Sequence, residues 1–173
     1  MKKASDLARI AMMVALMSIC AWIGVPVTVP FTMQTFAVFM AAALLGAKNA
    51  TVAVLIYLLL GCAGLPVFSG MRGGIGMLFG ATGGYMVGFV FITLIAGTVS
   101  RRFPGNYRRL FASMLLGTAL CYACGTAWYA LAYMSGGAGI AAALTACVFP
   151  FIIPDIIKML LAIAVAKRLG KYI

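Results

Sequence analysis

Apolar stretches close to the length of a bilayer span recur from one end of this sequence to the other. A helix needs about 20 consecutive apolar residues to cross a membrane. The stretches run over roughly Ser5–Ile23, Met33–Leu45, Ala50–Cys62, Thr82–Val99, Leu110–Met134 and Ile140–Ala166. The second is short unless the segment from Pro30 to Thr32 extends it. Hydrophobic residues make up 65% of the chain and charged residues 9%, against roughly half and a quarter in a soluble domain. The expected fold is an all-α integral membrane protein. It is a single transmembrane domain over residues 1–173, a six-transmembrane-helix bundle with ordered outside loops after helices 1 and 3. The first run spans and lacks a small-residue cleavage site before a polar mature region, so no cleavable signal is expected. No appended soluble domain is expected either.

The charges sort by topology. Lys2, Lys3 and Arg9 open the first run, and Lys48 lies between the second and third. Arg101, Arg102, Arg108 and Arg109 separate the fourth and fifth, and Lys167, Arg168 and Lys171 follow the sixth. All of these share one side if the chain crosses six times, and the positive-inside rule makes that side, with both termini, cytoplasmic. Scattered in this way, the net charge of +11 follows from topology, and no nucleic-acid partner is expected. Two of the 13 basic residues are left over: Arg72, in an outside loop, and Lys158, inside the last run.

Lys158 shares that run with Asp155, one of only two acidic residues in the chain. The other, Asp6, sits at the basic N-terminus. Charges at membrane depth are costly, and they normally face a cavity or one another. Three residues apart on a helix, Asp155 and Lys158 lie on one face. Pro150 and Pro154 remove backbone donors just ahead of them and are expected to kink or delay the helix. The plain alternative is a structural ion pair.

Other polar groups cluster in the outside loops. After the first run, Thr32, Gln34 and Thr35 offer hydroxyl and amide groups, and Gln34 both donates and accepts. Here they either read a polar ligand or cap helix ends. The Gly-rich stretch from Gly61 to Tyr85 stays apolar and is expected to be an ordered loop folded over the bundle. It lacks the lysine of a nucleotide-binding loop and the spacing of a dinucleotide fingerprint. Thr82, Gly84 and Tyr85 open the fourth span in a way that suits a ligand packed against backbone, though Tyr85 also fits an interfacial belt. Tyr122, Thr126, Tyr129 and Tyr133 form a polar stripe in the fifth span, either cavity-lining or satisfied in the core. Trp128, off that stripe, faces either a ligand or lipid.

The five cysteines suit a packing role. With no histidine and one intramembrane carboxylate, neither a metal site nor a general acid–base pair assembles easily. No catalytic residue, metal or cofactor is expected, and the chain is not expected to be an enzyme. In the first span, Ala4, Ala8, Ala11, Ala15 and Ser18 form a small-residue face suited to close helix contact, inside the bundle or with a partner.

Four motifs then carry a resemblance over nearly the whole chain. They are VPFTMQT at Val29–Thr35, YLLLGCAGLPVF at Tyr57–Phe68, ATGGY at Ala81–Tyr85 with Gly88 and Phe89, and Pro154-Asp155-x-x-Lys158. The sequence resembles the BioY family, the biotin-binding S component of energy-coupling factor (ECF) transporters. The resemblance implies six helices in a prokaryotic plasma membrane and an outward-facing vitamin pocket closed by the loops after spans one and three. It implies work with an ECF transmembrane coupling protein and two ABC-type ATPases, which would hydrolyse the ATP. It assigns Asp155 and Lys158 to the ureido ring of biotin, and the alanine-rich face of the first helix, here Ala8, Ala11 and Ala15, to the coupling protein. An ionised carboxylate accepts from ureido N–H groups and an ammonium donates to the ureido carbonyl. Phe31, Phe79, Tyr85 and Phe151 are candidates for the apolar walls, and Arg72 for the carboxylate of biotin. Relatives often carry Pro before Thr-Gly-Gly-Tyr, preceded in some by a polar side chain. Gly80 and Ala81 stand here instead, so no side-chain hydrogen bond comes from position 80. Two other readings remain: a proton-coupled secondary transporter using Asp155, and a non-transporting membrane subunit with a structural Asp–Lys pair.

Overall fold

In the computed structural model, residues 2–25, 31–133, 145 and 148–169 are described. Pro26 to Pro30, the expected end of the fifth span at Met134, the start of the sixth at Ile140, Cys147 and Lys171 lie outside them, as do the side chains of Lys2, Lys3 and Tyr133. The described chain is almost wholly helical. Helix α1 covers Lys2–Trp22, α2 Gln34–Cys62, α3 Ile75–Leu78, α4 Gly83–Arg102, α5 Tyr107–Tyr133 and α6 Phe149–Leu169. Five of the described helices are long and apolar enough to cross a membrane.

The sequence predicts separate second and third helices. The structure has two helical legs here, together labelled α2, that meet at Gly46, where φ is 74° and ψ 175°. That positive φ suits glycine, and it reverses the chain. Gln34 and Tyr57, about equally far from Gly46 on either side, are hydrogen-bonded to each other at 2.8 Å, so the two legs run back along one another. The break frees carbonyls at the end of the first leg, and α4 satisfies them. Ser100 Oγ donates to Ala43 O at 2.6 Å, and Arg101 Nη2 donates to Leu45 O at 3.0 Å.

Helix α2 is the hub of the bundle, with α1, α4 and α6 packed against it, while α4 also packs on α5. Lipid is as apolar as leucine, so helices in membranes are held by close packing and small residues. Glycines supply that closeness here. A Cβ at Gly88 would meet Cys121, one at Gly117 the backbone of Ile92, and one at Gly97 the backbone of Ala47 at 2.4 Å. The core between the legs and α4 is filled by Phe39, Tyr57, Phe68 and Ile92, all fully buried.

The ends of the loop after α1 pair as a two-stranded antiparallel ladder, β1 (Gly24–Val25) with β2 (Phe31–Thr32). The connection from α2 to α4 folds back on the bundle. Phe68 bridges to Arg72, and its ring packs edge-on against Tyr57 with centroids 5.5 Å apart. Trp22 Nε1 donates to Pro66 O at 2.8 Å, tying this connection to the end of α1.

In α6, Pro150 stands in the first turn, where its missing N–H costs nothing. Pro154 sits in the helix interior and leaves the carbonyl four residues earlier without its helical donor. On α1, Ala4, Ala8, Ala11 and Ala15 face outward. Ser18, expected on the same stripe, is buried and donates to Val14 O at 3.0 Å, because a hydroxyl at membrane depth finds the carbonyl one turn back.

Gly97→Ala should therefore cost roughly 1–3 kcal/mol, the usual range for overpacking, because the added methyl meets backbone rather than a movable side chain. Gly76→Ala, where nothing lies within 4 Å of the new atom, should leave stability unchanged. Thermal unfolding in detergent reads both; equal melting of the two variants would contradict the close α2–α4 packing.

Candidate binding site

Asp155 and Lys158 meet at the junction of α6, α5 and the start of α2. Their side chains pair at 2.8 Å (Lys158 Nζ to Asp155 Oδ1), and each residue is 3% exposed. Each charge is enclosed by further partners. Thr35 donates to Asp155 Oδ1 at 2.9 Å, and Tyr122 donates to Oδ2 at 2.6 Å. Lys158 Nζ donates to Thr32 O at 2.8 Å and Thr35 Oγ1 at 3.0 Å, and it stands 4.2 Å from the centroid of the Phe31 ring. The three ammonium donors are thus all engaged. The carboxylate accepts three bonds and, with about four lone-pair sites, keeps room for one more. A buried ion pair is tolerable only when such hydrogen bonds complete it.

The local sequence explains the placement. β2 ends at Thr32, so its carbonyl is spared from α2 and turns to the ammonium. Thr35 stands in the first turn of α2, on the side that faces α6. Tyr122 comes from the middle of α5, opposite Asp155.

The predicted residues fall into separate groups. Phe31, Thr32, Phe151, Asp155 and Lys158 come together, with the Phe31 and Phe151 rings 6.1 Å apart. Thr32 contributes its backbone carbonyl to Lys158, while its hydroxyl accepts from Gln34 N at 3.3 Å. A second group lies where α4 meets α5. Tyr85 shares a 3.0 Å hydrogen bond with Thr126, and Gly84 packs against Trp128, whose Nε1 donates to Gly80 O at 3.1 Å. Phe79 lies near the Trp128 ring, 6.4 Å between centroids, and is 63% exposed. Thr82 precedes α4 without a side-chain cap bond. Thr126 is one turn beyond Tyr122 on α5, so this one helix face links the two groups.

Two predicted residues stand apart. Gln34 is buried and donates to Tyr57 OH, which donates to Val67 O at 2.9 Å. The amide therefore anchors the connection after α2. Arg72 is exposed on the hairpin of that connection. The residues that the sequence left unassigned are Thr35 and Tyr122. Thr35 was one of three polar groups in its loop, and Tyr122 belonged to a stripe that suited core or cavity equally. The signal in both was a hydroxyl at membrane depth; that each lies within reach of Asp155 emerges from the packing of the helices.

A carboxylate and an ammonium held side by side among aromatic rings match a small ligand that presents N–H donors beside a carbonyl. A model described as the BioY family matches residues 1–173. The chain belongs to the BioY family. Among relatives of this BioY-family chain, the "Probable biotin transporter BioY" of Pyrococcus horikoshii is 38% identical over 168 residues, covering 96% of this chain and 97% of the relative. The "Biotin transporter BioY" of Thermotoga maritima is 37% identical over 167 residues, with 96% of each chain covered. A crystal structure of the S-component for biotin from an ECF-type ABC transporter superposes with a TM-score of 0.88 at 28% identity, covering 98% of this chain and 93% of that one. The likeness extends to almost the full length in each comparison. With its apolar helices, this BioY-family chain is a multi-pass membrane protein whose relatives are prokaryotic.

Removing one member of the pair leaves the other charged and buried. Asp155→Leu or Lys158→Met alone should each destabilise the ligand-free protein by about 3–5 kcal/mol, whereas the double variant should recover much of that loss. Thermal unfolding of the two single variants and the double variant forms the cycle. Additive losses would mean that the two charges are held independently.

Proposed function

We propose that this chain is the substrate-capture subunit for biotin in an energy-coupled uptake transporter. The single observation that carries the reading is the buried Asp155–Lys158 pair with its hydroxyl shell, in a chain of the BioY family. Biotin's ureido group has two N–H donors and one carbonyl. Asp155 has acceptor capacity to spare for one N–H; the second N–H and the carbonyl must replace partners already present. Seating the ring therefore exchanges the Thr35, Tyr122 or Thr32 bonds for ligand bonds, with the ion pair kept.

Phe31 and Phe151 beside the pair suit the thioether ring. Tyr85, Thr82, Gly84, Trp128 and Phe79 line the way outward along α4 and α5, and Gln34 holds the covering connection in place. Arg72, exposed on that connection, is assigned to the valerate carboxylate at the mouth. Counting the two legs of α2 separately and leaving out the four-residue α3 gives six helices, with both termini on the cytoplasmic side of a prokaryotic plasma membrane, as the positive-inside rule favours. The outward alanines of α1, Ala8, Ala11 and Ala15, are assigned to an ECF transmembrane coupling protein, with two ABC-type ATPases supplying the energy. The names of the relatives support this assignment of ligand and partners.

Detergent-purified protein should carry or bind biotin tightly. By titration calorimetry on folded variants, Asp155→Asn and Lys158→Met should each lose about 2–5 kcal/mol of binding, the usual cost of truncating one member of a buried charge pair. Arg72→Gln should lose less, since a wetter site is screened. Wild-type affinity in both span-six variants would remove the pair from the site. That outcome would favour a structural role for it.

A second measurement tests the outward face of α1. Ala11→Trp and Ala15→Trp should leave biotin affinity intact while abolishing co-purification with the coupling protein, because a bulky ring blocks close helix approach. Retained assembly with lost biotin binding would return the stripe to the internal bundle.

A further inference from the structure

The end of the bundle remote from Asp155 contains a cavity of about 550 Å³ that biotin capture does not use. Five helical segments converge on it: α1, the end of the first leg of α2, α4, the start of α5, and the end of α6. Three of them bring a cation, Arg9, Arg101 and Lys167, while Tyr107, the first residue of α5, and Asn106 just ahead of it complete this side of the lining. Among the described lining residues, none is acidic.

The way Arg101 and Lys167 are held is informative. Arg101 rests on the Leu45 carbonyl, and its guanidinium has further donors beyond that bond. Lys167 Nζ stands 5.8 Å from the Tyr107 ring centroid. Just outside the lining, Arg102 and Arg109 lie 5.9 Å and 4.2 Å from the Phe103 ring centroid. Rings and carbonyls orient a cation without cancelling its charge. Apart from Asp155, the only carboxylate side chain in the sequence is Asp6. This end of the molecule therefore concentrates positive charge around a concave space.

Exposed apolar residues flank the space. Below Arg9 on α1, Met12 is exposed, and below Lys167 on α6, Leu160 and Leu161 are exposed. α1 and α6 each pack on α2, and these apolar faces lead away from the cavity toward the membrane interior. A cationic chamber of mixed polar and apolar lining that opens onto apolar helix faces matches an amphiphile with an anionic head. The volume exceeds what an inorganic phosphate needs and has room for a glycerophosphate head.

We propose that this cavity binds the headgroup phosphate of an anionic phospholipid, with the acyl chains lying along the outer faces of α1 and α6. Arg101, fixed on the end of the first α2 leg, supplies paired guanidinium donors, and Arg9 and Lys167 close around the phosphate from either side. The proposal does not depend on the identity of the transported ligand.

The test is native mass spectrometry of the full chain in a neutral detergent, titrated separately with phosphatidylglycerol, phosphatidylcholine and inorganic phosphate. Wild type should retain phosphatidylglycerol in preference to phosphatidylcholine, and equimolar inorganic phosphate should not displace it. A basic residue near a membrane surface is worth roughly fivefold in anionic-lipid affinity, so the double variant Arg9→Gln/Lys167→Gln should lose about thirtyfold. The charge-matched control Arg102→Gln/Arg168→Gln, outside the lining, should lose much less. If the first double variant does not fold, Lys167→Gln alone, at an exposed position, should still lose about fivefold. Equal losses in the two double variants, equal retention of the two lipids, or displacement by inorganic phosphate would each overturn the proposal.

Discussion

The buried ion pair of α6 sets the terms for much of the structure around it. Taking two charges out of water costs several kcal/mol per ion, and their attraction offsets this only when further hydrogen bonds surround the pair. That requirement draws three segments to one point. Thr32 and Thr35 must come from the junction of β2 and α2, Tyr122 from the middle of α5, and the pair itself from α6. The network therefore does two jobs. It makes the charges tolerable, and it fastens α6, whose outward side is a run of exposed leucines and isoleucines, to the rest of the bundle. In a bilayer, interhelical hydrogen bonds supply cohesion that apolar contact alone does not. A ligand that enters the network must preserve both functions.

Much of this was legible in the sequence. The apolar runs required membrane helices, and the scarcity of acid made Asp155 and Lys158 conspicuous at once. Helical spacing put them on one face, and they pair there at 2.8 Å. Phe31 and Phe151 were legible as apolar neighbours, and the motifs from Val29 to Lys158 pointed to the family. Less legible were the partners across the bundle. Nothing along the chain distinguishes Tyr122 from Tyr129, which lie about two turns apart on one face of α5, because the choice depends on which of them stands level with Asp155, and the packing of α5 against its neighbours sets that in three dimensions. The surroundings of Gln34 were hidden for a related reason. Its chemistry suits a ligand, but its neighbour proved to be Tyr57, brought opposite by the turn at Gly46.

The α4 contacts with α2 and α5 show how a chain with little polar surface obtains a defined arrangement. Gly88, Gly97 and Gly117 each sit where a neighbouring helix leaves no room for a methyl group. Close approach multiplies van der Waals contact and lets short polar side chains reach across. Thr51 and Thr93 meet at 3.0 Å, and Cys121 Sγ reaches Tyr85 O at 3.4 Å. The position of Tyr85, and with it Thr126, follows from this packing.

The reversal at Gly46 has a consequence for how the chain fits its bilayer. At 1.5 Å per residue, the first leg of α2 is only about 18 Å long, well short of the roughly 30 Å hydrocarbon layer. A lipid-facing helix of that length would force thinning or tilting, the usual responses to hydrophobic mismatch. From Ala37 to Ala42 this leg is buried on every side by protein. Helices α1, α4 and α6 stand between it and the acyl chains, so membrane thickness places no demand on its length. That length answers instead to the distance between the hydroxyls near its beginning and the charged cavity at its end, a spacing the surrounding helices hold fixed whatever the thickness of the membrane.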